Sequence, residues 1–96
     1  MTDEKIVQVC KLYDERFRLF GSGIFPVRAD ATKKVNNEEV LNHLRWMVQE
    51  TVSLVEQGRR EKAFRWLGFI QGALWSYRMY TIEELKNHNK PDGEEE

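Results

Sequence analysis

Residues 58–75 read GRREKAFRWLGFIQGALW, and the fold turns on whether this stretch is one helix. Apolar residues recur at helical spacing throughout it. At about 100° per residue, Ala63, Trp66, Leu67, Ile70, Leu74 and Tyr77 share one face. Nearly opposite lie Phe64, Gly68, Gly72, Trp75 and Met79, with Ser76 beside them. A helix from about Arg59 to Met79 is therefore apolar on two sides. That pattern predicts burial on both, in the position of a central helix. Two features work against the helix locally. Each interior glycine costs about 1 kcal/mol relative to alanine. Arg59, Arg60, Lys62 and Arg65 crowd the start, where cations oppose the helix dipole.

Gly68, Gly72 and Ser76 repeat at a four-residue spacing that leaves a groove where another backbone can approach, flanked by Phe64 and Trp75. The spacing is best known between membrane helices, but its steric basis holds in water. Two occupants fit the groove: another helix of the same chain, or a second copy of the protein.

Working outward, Gly58 ends a helix that starts at Asn36. Asn36 as N-cap with Glu39 three residues on forms a capping box, and Val35 with Val40 forms its hydrophobic staple. The expected buried stripe is Val40, Leu44, Met47, Val48, Thr51 and Val55. Almost no linker separates this second helix from the third, which predicts an antiparallel hairpin. The first helix runs from about Asp3 to Phe20. Thr2 is its N-cap, Ile6, Val9, Cys10, Tyr13, Phe17 and Phe20 form its apolar stripe, and Gly21 is its stop. Between them, residues 21–36 (GSGIFPVRADATKKVN) are irregular; Ile24, Phe25 and Val27 are candidates for a short extended piece over the core. Connections this long are uncommon in small domains. A fourth helix starts at Thr81, with Glu84 completing a capping box and Tyr80 and Leu85 a staple, and stops near Asn89, before Pro91. Residues 91–96 form an acidic tail without expected order. The reading is an all-α bundle of four helices, one domain over residues 1–90.

The totals suit that reading. The chain has 96 residues, 41% hydrophobic and 32% charged. A domain this small buries a modest fraction of its surface, and assembly with copies of itself is an ordinary remedy. The net charge of −1 argues against a general nucleic-acid binder. The single cysteine, Cys10, excludes an internal disulfide and fits a reducing compartment. No apolar run approaches a membrane span, and residues 1–20 lack the form of a signal peptide. The expected location is the cytoplasm.

Few residues suggest chemistry. Glu39 with His43 and Glu84 with His88 are spaced four apart on polar faces; a di-iron bundle uses Glu and His three apart, facing the core. Cys10 lies on a core stripe and reads as packing. No nucleophile motif, phosphate loop or dinucleotide fingerprint is present, so neither an enzyme nor a cofactor is expected. Two binding features remain. Trp46 falls opposite the core stripe of its helix, among Glu39, Asn42, Glu50 and Ser53. Either the long loop covers it or it anchors a partner, as tryptophans do at interface hot spots. The basic cluster also reads two ways. It can complement the C-terminus of the second helix. Alternatively Arg59, Arg60, Lys62 and Arg65, with Arg78 on the polar stripe of Arg60 and Gln71, form an anion site for a phosphorylated or nucleotide ligand.

Two segments, KAFRWLGFIQGALW and YTIEELKNHNKP, resemble the C-terminal half of small proteins encoded by tailed bacteriophages and prophages. The likeness is closest over about Arg59 to Pro91. VRAD before the second helix is similar to a longer subgroup. The resemblance implies an accessory protein acting in a bacterial cytoplasm and binding a host component such as a defence or regulatory protein. It carries no residue roles. Together the expectations are a self-associating protein that binds a host protein through Trp46, Phe64, Gly68, Gly72, Trp75 and Ser76, or one that sequesters a small phosphorylated signal at the arginines.

Overall fold

The computed structural model describes residues 1–28 and 34–92. Four helices account for most of them: α1 (Asp3–Leu19), α2 (Asn37–Glu56), α3 (Arg60–Ser76) and α4 (Ile82–Asn89). The fold is all-α. Every sequence-marked N-cap is in place. Thr2 accepts from the Lys5 amide, and the Asn36–Glu39 and Thr81–Glu84 capping boxes are both complete. α3 differs, since Arg59 at its N-cap offers no side-chain acceptor.

The helix ends share one device. After α1, Gly21 adopts φ +80 while the Ser22 and Gly21 amides return to the Phe17 and Arg18 carbonyls. After α2, Gly58 adopts φ +76 while the Arg59 and Gly58 amides return to Leu54 and Val55. After α3, Arg78 takes the left-handed position at φ 60, with Met79 and Arg78 amides bonded to Leu74 and Trp75. These three are Schellman closures. The third ends α3 at Ser76, short of the expected Met79.

The core is built from Ile6, Val9, Cys10, Tyr13 and Phe17 of α1, Leu44, Met47 and Val48 of α2, Leu67, Ile70 and Leu74 of α3, and Leu85 of α4. α2 packs along both α1 and α3; α3 touches α1 and α4 more lightly. This corrects the expectation that α3 is central and the most buried helix. Ala63, Leu67, Ile70 and Leu74 of its inner face are buried, but Trp66 is half-buried and Tyr77 exposed, and Phe64, Gly68, Phe69, Gly72, Trp75 and Ser76 are exposed on the other side. Three smaller corrections follow the same geometry. Phe20 lies beyond the helix end, 58% exposed beneath the Arg16 guanidinium, rather than in the core. Leu54, not Val55, is the buried residue of the last turn of α2. Ile24 and Phe25 are exposed, so the loop covers the core less than expected.

The loop is nonetheless stitched to α2. Asn42 accepts from the Gly23 amide at 2.8 Å, its carbonyl accepts from Phe25, and His43 Nδ1 accepts from the Val27 amide at 2.9 Å. Ser22 donates to the Leu41 carbonyl. Arg45 ties the turn down by donating to Asp14 and to the Ser22 carbonyl. Of the tail, Lys5 pairs with Asp92 at 3.0 Å; the expectation of disorder for the rest falls on residues 93–96, outside the described residues.

Candidate functional site

The outer face of α3 concentrates what the fold does not use. Gly68 and Gly72 lie mid-helix with φ values that any residue can adopt. A Cβ placed on either would meet no atom within 4 Å beyond the helix backbone itself. No element of the chain therefore fills this groove, and the internal occupant is excluded among the described residues. Phe64 and Trp75 rise on either side of it, 46% and 52% exposed, and Phe69 stands beside it at 62%. The structure thus brings together Phe64, Gly68, Gly72, Trp75 and Ser76 on one open strip.

Trp46 is elsewhere. It points between α2 and α3, half-buried, with its ring 5.9 Å from Trp66 and 5.4 Å from His43. It is neither a wet ring on a polar face nor a member of the strip. Trp46 and Trp66 form part of the wall of an apolar cavity of about 530 Å³, completed by Val27 and Val35 of the loop and by Phe69 and Ala73 of α3.

The cations do not converge on one point. Arg60 pairs with Asp3 of α1 at 3.1 Å, and Lys62 lies over the Trp66 ring at 5.5 Å. Arg59 and Arg65 are exposed. Arg78 stands at the opposite end of α3, about 25 Å away at 1.5 Å per residue. Gln71, expected on an exposed stripe between Arg60 and Arg78, is instead part of an inner polar network. Its amide nitrogen donates to the Tyr13 hydroxyl at 2.9 Å and to Asn89 Oδ1 at 2.7 Å, and Asn89 donates back at 3.0 Å. The Tyr13 hydroxyl, which accepts from Gln71, is also hydrogen-bonded to His88 Nδ1 at 2.8 Å.

That network was not visible in the sequence, because its members come from three helices and the bonded pair Tyr13 and His88 are 75 residues apart. It fixes α4 against α1 and α3. Burial pushes the Tyr13 phenol well above its ordinary pKa, so it remains a donor; the Gln71 hydrogen bond opposes this in part. Burial lowers the His88 pKa, an effect opposed by Glu84 and reinforced by Lys5. Burial likewise lowers that of His43. Cys10 is fully enclosed and its thiol is pushed up to about 12, which removes nucleophilic character at neutral pH. Both histidines spend Nδ1 on protein hydrogen bonds, and no group of three metal-ligating side chains occurs among the described residues.

Among the described residues, no helix is long and apolar enough to cross a membrane. No protein-family model, curated protein or solved structure matches the chain.

Proposed function

We propose that this chain is a non-enzymatic binding protein that assembles with copies of itself through the outer face of α3. One observation carries the reading: two glycines occupy a helix interior, each at a cost of about 1 kcal/mol, with no backbone or packing requirement inside the chain. A close helix–helix approach is the physical use that such positions have.

The residue order supports a two-fold, antiparallel pairing of α3 with α3 of a second copy. With the axis at the level of Ile70, Gly68 of one copy faces Gly72 of the other. Phe64 then faces Ser76, large against small, and Arg65 faces the Trp75 ring. Each contact occurs twice, as an isologous interface requires. The exposed rings of Phe64 and Trp75 supply apolar area on both sides of the glycine contact.

The likeness of residues 59–91 to small phage proteins supports placing such an assembly in a bacterial cytoplasm, bound to a host component. The dispersed cations and the engagement of Arg60, Lys62 and Gln71 favour this reading over sequestration of a phosphorylated ligand at the start of α3.

Light scattering after size exclusion tests the assembly. The wild type is expected to elute as a dimer or higher species at micromolar concentration, and Gly72→Leu as a folded monomer. A monomeric wild type overturns the proposal, as does a Gly72→Leu protein of unchanged mass.

A further inference from the structure

A second feature, the cavity between α2 and α3, lies mostly on the α2 side of the chain's unused surface. Its volume of about 530 Å³ lies in the range of small-molecule sites. Helical side chains form most of its wall, with the Trp46 and Trp66 rings 5.9 Å apart and inclined at 46° to each other. Phe69 and Ala73 continue the α3 wall, and Val27 closes it from the loop. Large apolar rings left partly uncovered around such a space are surfaces on which a flat ligand can lie.

Two polar side chains, Arg28 and His43, line this largely apolar wall, and His43 has its tautomer set by the backbone. His43 lines the cavity, and its Nδ1 accepts the Val27 amide hydrogen at 2.9 Å. An imidazole that accepts at Nδ1 carries its proton on Nε2. The second nitrogen is therefore a donor, and the tautomer is held in place by a backbone amide. A donor beside two indoles selects a ligand that is planar and largely apolar and that presents one acceptor atom.

We propose that the Trp46–Trp66 cavity binds a planar heteroaromatic molecule, stacked on the indoles with a ring nitrogen or carbonyl accepting from His43 Nε2–H. Arrangements of this kind owe affinity to the rings and orientation to the single hydrogen bond. The contribution of Trp46 is then to ligand binding rather than to a protein contact.

Quinoline and naphthalene form a matched probe pair, equal in shape and differing in the ring nitrogen. Each is titrated into the full-length protein at pH 7.5, followed by tryptophan fluorescence and by the two-dimensional NMR signals of the indole N–H groups. Quinoline should shift the Trp46 and Trp66 signals and bind roughly 2- to 12-fold more tightly than naphthalene, the worth of one hydrogen bond. His43→Phe should abolish that preference while retaining naphthalene binding. Ala73→Leu, which narrows the cavity from a helical position, should weaken binding of both probes, with circular dichroism checking that the protein is folded. Absence of any shift at saturating quinoline overturns the proposal. Equal affinity for the two probes overturns the role of His43, and unchanged binding in a folded Ala73→Leu protein overturns the location. His43 lies on α2, away from the α3 strip, so the loss of probe preference in His43→Phe is read independently of the oligomeric mass.

Discussion

Two pairs of glycines in this small protein obey different physics. Gly21 and Gly58 follow helix ends in left-handed conformations that the closing hydrogen bonds require. Gly68 and Gly72 sit in ordinary helical geometry in the middle of α3, with open space where a side chain would go. The first pair is explained by its own turn. The second is not explained by anything within the chain, and so points outside it. The contrast sharpens at the end of α3, where the chain does need a left-handed residue and has Arg78. One helix thus carries glycine where its own fold has no use for it and lacks glycine where its fold would use it.

Alanine substitution should separate the pairs by sign. Gly58→Ala forces an L-residue into the left-handed region and should destabilise by about 1–2 kcal/mol. Gly68→Ala with Gly72→Ala should instead stabilise the isolated fold by about 1 kcal/mol per site, since the added methyls meet nothing. The same double variant should weaken self-association, because those methyls separate the two helices. Chemical denaturation read by circular dichroism, at concentrations below and above assembly, checks both parts. A double variant that loses stability when monomeric would mean that the glycines serve the fold after all.

Arg78→Gly probes the third helix end. It relieves a left-handed arginine but adds freedom to the unfolded chain, and the net gain expected is about 0.5–1 kcal/mol. Denaturant midpoints of the two proteins measure it. A loss of stability would show that the Arg78 side chain contributes more than its backbone costs.

These differences also mark what was legible in the sequence. Helix starts were readable because a cap is a local code: Asn36 with Glu39 and Thr81 with Glu84 each lie within four residues. Ends marked by Gly21 and Gly58 were readable for the same reason. The end of α3 was not, because Arg78 carries no sign of its conformation. The apolar stripes of α1 and α2 were recovered nearly residue by residue. The error lay in α3, where two apolar faces implied two buried ones. Periodicity reports which faces avoid water but not which neighbour covers them, and here the chain supplies a neighbour for one face only. Of the candidate site, Phe64, Gly68, Gly72, Trp75 and Ser76 fell together because they share one helix. Trp46 was misplaced because a helical wheel fixes where a Cβ points, and a long indole can reach across to Trp66. The Tyr13–Gln71–His88–Asn89 network escaped notice because long-range hydrogen bonds leave no periodic trace.

That network gives the two sides of α3 different responses to acid, the smallest effect expected. His88 Nδ1 is hydrogen-bonded to the Tyr13 hydroxyl, which accepts from Gln71 on the inner side of α3. Protonation of His88 puts a charge in this partly buried position, at a desolvation cost. Burial lowers the His88 pKa from its ordinary value of 6.5, with Glu84 opposing and Lys5 reinforcing, and burial lowers His43 in the same direction. For a base whose pKa is lower in the folded state, the unfolded chain binds the extra proton. The stability is complete above pH 6.5 and is lost as pH falls below that value through the folded pKa. The open strip on the outer side of α3 holds Phe64, Gly68, Gly72, Trp75 and Ser76, none of which titrates between pH 5 and 7.5. Acidification over that range should therefore lower the melting temperature modestly while leaving the oligomeric mass unchanged. His88→Gln should flatten part of the pH dependence, and the remainder should belong to His43. Dissociation in parallel with the loss of stability would mean that assembly depends on the inner network, and the two sides of α3 could no longer be treated as separate.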